Sequence, residues 1–208
     1  MHSTTMADQT SIEIHLPNNV SIRQWRQTDV ESSTRHLNNR KVWDNLRDRI
    51  PHPYTEADAE QWVAFCQCPS NHVRSGPWTS ETGSQGQSHP TNFAITVDDQ
   101  AVGGIGLDFQ TDVYFRTAEI GYWLGEAYWG QGIMTVVVRA FVGWAWETFG
   151  ILVRISAETV EGNAGSARVL EKAGFEREGR REDMVWKNGR IRAVVMWGAL
   201  RRGLHRSV

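Results

Sequence analysis

The chain is poor in cysteine, with two residues, Cys66 and Cys68, one position apart. That excludes a disulfide framework. Cys-x-Cys with His72 nearby is half of a metal-ligand set. No second cysteine pair completes it, so no metal is expected and free thiols at a helix end are the plainer reading. Excess charge of either sign is also lacking: 22 Lys and Arg against 24 Asp and Glu leave −2. No nucleic-acid or anionic membrane partner is therefore expected. No apolar run approaches the ~20 residues of a membrane helix. Met1 to Gln9 is polar and has no signal-peptide centre, so a cytoplasmic protein is expected.

What is present suffices for a core. The 208 residues are 40% apolar, which suits one domain over residues 11–200. Residues 1–10 are expected to be disordered and 201–208 to form a polar tail. There are ten tryptophans. Trp25, Trp62, Trp144 and Trp146 lie in periodic segments and are expected in the core. Trp123 and Trp129 flank a glycine loop, and Trp78 lies in another loop.

Ile12, Ile14 and Leu16 alternate with polar residues, and Val20–Trp25 follows a Pro17-Asn18-Asn19 turn. This predicts a hairpin whose first strand lies at the sheet's edge. Asp29 begins a helix to about Leu37, Val42–Leu46 has helical character, and Thr55 caps another helix. Ala59, Trp62, Val63 and Cys66 give that last helix an apolar side. Residues 68–90 are poor in apolar residues and read as a long loop. Asn92–Val97, Gln100–Asp108 and Thr117–Leu124 predict an antiparallel meander. The middle strand contains Gly103, Gly104 and Gly106, which invite close approach by a neighbour. A helix from Gln131 to about Thr148, closed by Gly150, leads to a parallel strand at Leu152–Ala157. Asn163 caps the next helix and Gly174 closes it. Two final strands, Phe175–Trp186 and Arg190–Leu200, flank Asn188-Gly189, a strong hairpin turn. There is no internal repeat.

Two segments carry chemistry. In Glu119-Ile120-Gly121-Tyr122-Trp123-Leu124-Gly125-Glu126-Ala127-Tyr128-Trp129-Gly130-Gln131-Gly132-Ile133-Met134-Thr135, a strand runs through a bare glycine loop into a helix. Helix N-termini offer unpaired N–H groups and a partial positive charge, which suits phosphate, although Gly-x-Gly is equally a tight turn. The second segment is Asn163-Ala164-Gly165-Ser166-Ala167-Arg168-Val169-Leu170-Glu171-Lys172-Ala173-Gly174-Phe175. In order and spacing the pair resembles the GNAT superfamily of acetyl-CoA-dependent N-acyltransferases, in particular the branch of ribosomal-protein N-terminal acetyltransferases. The resemblance runs from Ser21 to Leu200.

It implies an α/β fold: a mixed, largely antiparallel seven-stranded sheet with about four helices. It also implies acetyl transfer from acetyl-CoA, as co-substrate, to an amine acceptor. The acceptor would be a protein N-terminus or a small molecule, attacking directly in a ternary complex formed by a monomer or homodimer. The diphosphate would lie on the N–H groups around Gln131, Gly132, Ile133 and Met134, with the Thr135 hydroxyl adding a contact and Trp129 and Gly130 also lining the cofactor site. Tyr122, Trp123 and Leu124 would flank the pantetheine arm, and Asn163 and Ser166 would approach it. Trp129 and Met134 replace the basic and small residues common in that loop. Leu170 replaces the tyrosine that protonates the thiolate in many relatives, leaving Ser166 or water as the acid. His52 and Tyr54 are weak acceptor-side candidates.

Glu119 is the candidate base. Period-two alternation places it on one face with Gly121 and Trp123. A carboxylate of ordinary pKa ~4.3 needs burial or a water relay for this task; the alternative reading is an ion-paired structural carboxylate. Arg177, Arg180, Arg181, Arg190 and Arg192 read as a solvated strand face. Two other functions keep the same glycine loop: a non-catalytic acyl-CoA sensor and a nucleotide-phosphate binder.

Overall fold

The structure, a computed structural model, describes residues 12–76, 78–79 and 83–201. The expectations for residues 1–10, 202–208 and the Trp78 side chain lie outside these. Among the described residues, no helix is long and apolar enough to cross a membrane.

The main sheet has eight strands. They are β1 (Glu13–Leu16), β2 (Val20–Arg23), β3 (Asn92–Val97), β4 (Gln100–Phe109), β5 (Thr117–Leu124), β6 (Arg154–Val160), β7 (Glu176–Lys187) and β8 (Arg190–Leu200). Their spatial order is β1-β2-β3-β4-β5-β6-β8-β7, antiparallel except where β5 meets β6. The expected seven becomes eight because the hairpin strand β1 joins the same sheet, Ile14 opposite Ile22. The helices are α1 (Val30–Leu37), α2 (Arg40–Trp43), α3 (Glu56–Gln67), α4 (Ile133–Thr148) and α5 (Ala164–Ala173).

Residues 68–90 are not one open loop. They carry two short antiparallel ladders, Val73–Arg74 with Ser88–His89 and Trp78–Thr79 with Gly83–Ser84. Gly150 does not end α4 by a left-handed cap. The helix stops at Thr148, and Phe149 takes the cap position with its side chain fully buried.

Alternation along the strands divides the core in two. Ile22, Phe93, Ile95, Val102, Ile120 and Leu124 pack with Val137, Val138 and Phe141 of α4 and Leu170 of α5. Trp25, Ala94 and Ala101 pack instead with Val30 and Leu37 of α1 and Ala59, Val63 and Cys66 of α3. Trp62 is not core: it is 37% exposed and stacks on exposed Phe65, beside the buried stripe of Ala59, Val63 and Cys66. Trp144 and Trp146 are half-buried against the first cluster. Gly104 lets two tryptophans approach the sheet closely. A Cβ there would stand 2.7 Å from Trp123 Nε1 and 3.1 Å from the Trp25 ring, so no larger residue fits without moving the stack.

Thr55 opens α3 with a capping box shared with Asp58. Asn188 and Gly189 both take positive φ in the β7–β8 turn, which that dipeptide favours.

Candidate active site

β5 and β6 form the site by separating. They pair only as Arg154↔Thr117, Ile155↔Ala118 and Ser156↔Glu119. Beyond Glu119, residues Ile120 to Leu124 have β4 as their one strand partner, while β6 continues beside β8 as far as Val160. The edge of β5 that faces β6 therefore has no strand partner from Ile120 onward. Both chains then turn into helices, β5 into α4 and β6 into α5, so two helix N-termini stand at the carboxyl end of the parallel pair. In α/β sheets ligands bind at this end.

The glycine loop fits this role. Gly130 and Gly132 take φ +75° and +79°, and a Cβ at either would meet nothing within 4 Å. Gly132 caps α4 through its carbonyl, which accepts from the N–H groups of Thr135 (3.1 Å) and Val136 (3.3 Å). Among the described residues, the N–H groups of Gln131, Gly132, Ile133 and Met134 find no acceptor. Side chains leave the cradle open: Trp129 Nε1 donates back to the Leu124 carbonyl (2.7 Å), and Gln131 Nε2 to that of Ala127 (2.9 Å). Met134 is buried in the core, so only its backbone faces the cradle. The Thr135 N–H is already used, which leaves its hydroxyl. Bare donors at the positive end of a sixteen-residue helix suit a diphosphate.

Tyr122 and Ser166 meet across the fork. Their hydroxyl oxygens are 2.7 Å apart, and the Ser166 carbonyl also accepts from the phenol at 3.3 Å. Burial pushes the Tyr122 phenol up to about 12, against a smaller opposing effect of the Ser166 hydrogen bond, so it is protonated at neutral pH. Asn163 Oδ1 accepts from the Ser166 N–H (3.1 Å), the N-cap contact expected from its type. Leu170 is fully buried in the core and has no part in the fork. Sequence spacing gave no sign that the Tyr122 hydroxyl would meet Ser166.

On the other face lie Glu119, Gly121 and Trp123. Trp123 stacks on Trp25 with ring centroids 6.5 Å apart. Glu119 stands at the last paired position before the fork and its side chain is 23% exposed. It is ion-paired with Arg47, whose Nη2 also lies 3.3 Å from Glu158. Burial raises the Glu119 pKa above the ordinary carboxylate value; Arg47 opposes this, while Glu158 and Asp108 add to it. Glu119 is thus ion-paired, with its carboxyl held above the ordinary value by burial.

The other candidates have partners of their own. Tyr54 is buried, and the Asn38 side chain holds both its N–H and its carbonyl. His52 stacks on Trp43 at 5.0 Å. Arg180 pairs with Glu161 and Glu182 on the surface. Cys66 is buried, its thiol pushed up to about 12, and Cys68 is exposed. One surface depression, ≈ 380 Å³, is lined by Gln27, Thr28, Val30, Glu31, Glu56 and Glu60 around α1 and α3. It is shallow and contains none of the donors described above.

This geometry is that of a nucleotide-coenzyme acyltransferase fold. Residues 19–176 match the family described as "Acetyltransferase (GNAT) domain", and the chain belongs to that family. Curated relatives include the "Probable N-acetyltransferase YjcK" of Bacillus subtilis, 40% identical over 47% of this chain and 56% of that protein. The uS5-alanine N-acetyltransferase of Escherichia coli is 24% identical over 83% of this chain and 79% of its own length. The first of these alignments spans about half of the relative it matches. Among solved structures, a ribosomal-protein-S5-alanine acetyltransferase from Vibrio fischeri has TM-score 0.71 at 18% identity, covering 92% of this chain and 98% of that one. The L7/L12 α-N-protein acetyltransferase RimL, solved with coenzyme A, has TM-score 0.71 at 18% identity, covering 91% and 98%.

Proposed function

We propose that the protein transfers an acetyl group from acetyl-CoA to a primary amine by direct attack in a ternary complex. The open N–H cradle at the start of α4, beside strands that have parted, carries this reading. The diphosphate would sit on the N–H groups of Gln131, Gly132, Ile133 and Met134, and the pantetheine arm along the free edge of Tyr122 to Leu124. Family relatives named for ribosomal-protein alanine acetylation support an α-amine acceptor.

The chemistry follows from the two faces of the fork. The amine nitrogen attacks the thioester carbon and gives a tetrahedral oxyanion. Its proton passes to Glu119, directly or through one water. Collapse breaks the C–S bond and leaves the electron pair on sulfur. With Tyr122 donating to Ser166 Oγ, the Ser166 O–H is free to donate to that sulfur. An α-amine of pKa ~8 requires less of the base than a lysine at ~10.4.

Thiol release from acetyl-CoA, measured with a panel of primary amines and read by mass spectrometry of the products, tests the assignment. Acetylated amine with stoichiometric free CoA is expected. Coenzyme binding without any acetylated product across the panel would leave the sensor reading in its place. Tyr122→Phe removes the phenol from Ser166 and keeps the ring. It should lower kcat about ten-fold, the loss of one hydrogen bond, with KM for acetyl-CoA unchanged. An unaltered kcat would take Tyr122 out of the reaction.

A further inference from the structure

The segment between α2 and α3 crosses the acceptor side of the fork. Residues 44–50 have irregular backbone and are held by polar contacts to separate strands. Asn188 Nδ2 donates to Asp44 (2.8 Å), Lys187 Nζ to Asp48 (2.5 Å) and Arg49 Nη2 to Asp108 on β4 (3.1 Å). Arg47 lies over the fork itself. Its Nη2 pairs with Glu119 on β5 and stands 3.3 Å from Glu158 Oε2 on β6. One guanidinium thus bridges carboxylates on the two strands that part.

The bridge is asymmetric. The Arg47 side chain is 52% exposed, whereas those of Glu119 and Glu158 are 23% and 33% exposed. Water can solvate the cation if it leaves, but the inner carboxylates still need a positive charge between them. Neighbouring cations do not bridge the two: Arg181 of β7 pairs with Glu158 alone, at 3.9 Å, and Arg49 pairs with Asp108. An ammonium carries the same charge as the guanidinium in a smaller volume.

We propose that Arg47 is a displaceable stand-in for the acceptor's ammonium, so that the acceptor enters as a cation and takes over the Glu119–Glu158 bridge. This rests on Glu119 being the base of the proposed transfer. Once seated, the ammonium gives a proton to the Glu119 carboxylate, which passes it on to water; the neutral nitrogen then attacks, and the restored carboxylate takes the second proton. The acceptor class is then an alkylamine or α-amine that is charged at pH 7. Arylamines, already neutral there, gain nothing from the bridge. Arg47 acts through Glu119 and is a positioning residue.

A binding measurement tests this without turnover. Protein carrying ¹³C-labelled glutamate carboxyls is titrated with n-propylamine at pH 7, no acetyl-CoA present, with the signals assigned by Glu119→Gln and Glu158→Gln. Both signals should move, and in Arg47→Ala the half-saturating concentration should fall about five-fold, since a partly exposed ion pair no longer competes. Arg47→Lys should restore the wild-type value. In turnover, Arg47→Ala should lower KM for the alkylamine and not for acetyl-CoA. It should also move the rising limb of kcat/KM to higher pH, because the guanidinium no longer lowers the Glu119 pKa. An unchanged half-saturating concentration, or propylammonium shifts elsewhere than Glu119 and Glu158, would overturn the proposal. Failure of the transfer reaction itself would appear separately, as absent thiol release in a protein whose carboxyls still respond to the amine.

Discussion

Gly132→Asp is expected to raise the Kd for CoA by about 10³-fold while the protein keeps its fold. The cradle is formed by unpaired N–H groups at the positive end of α4, and a carboxylate there both repels a diphosphate and competes for the same donors. Hydrogen bonds to charged groups contribute ~1.5–3 kcal/mol each, so losing two of them accounts for this magnitude. Space is not the obstacle, because a Cβ at Gly132 meets nothing within 4 Å. The φ of +79° strains any side chain, but Asp and Asn tolerate that region better than most residues. Gly132→Asn is therefore the control: it shares the strain, shape and capping tendency without the charge, and should weaken CoA about ten-fold at most. Calorimetry on both variants, with their melting temperatures, separates the two effects. Equal affinities for the Asp and Asn variants would mean that no diphosphate lies on α4.

Glu119→Gln should lower kcat/KM about 10²-fold or more, the usual contribution of a general base. The amide keeps the shape and cannot take the proton. In the wild type, kcat/KM should rise with pH through a carboxylate pKa above the ordinary value, because the base works only when ionised. The variant should lose that limb and keep only the ionisation of the amine. The stability effect has the opposite sign. A carboxylate whose folded pKa is raised binds its proton more tightly in the native state, so native stability falls as pH rises from the unfolded pKa through the folded one. Removing the charge should therefore leave the protein at pH 7 at least as stable as the parent by thermal melting. A variant of full activity would leave Glu119 as a structural ion-pair partner of Arg47.

The parts legible in advance share a physical origin. Asn163, Gly174, Thr55 and Asn188-Gly189 act through backbone conformation and hydrogen bonds within a few residues, and each holds the cap or turn its type favours. Strand alternation placed Ile120 and Leu124 under α4 and put Trp123 on the opposite face, because the pleat leaves no other choice. What escaped was contact at long range. Trp62 has the right spacing for the α3 core stripe but stands at its margin, since the neighbouring helix ends the stripe at Ala59, Val63 and Cys66. The polar stretch before Pro90 gave no period, yet it pairs with itself in two-residue ladders too short to leave a pattern.

By itself the order of residues determined the glycine loop, the helix caps, the parallel crossover and hence the family. All of these depend on neighbours in the chain or on a face of one element. Only folding decided that Tyr122 meets Ser166, 44 positions away, and that Arg47 closes over Glu119, 72 positions away. Each contact needs two elements packed on the same sheet at a particular register. No local preference of tyrosine, serine or arginine encodes that partner; only the geometry of β5 and β6 as they part brings them together.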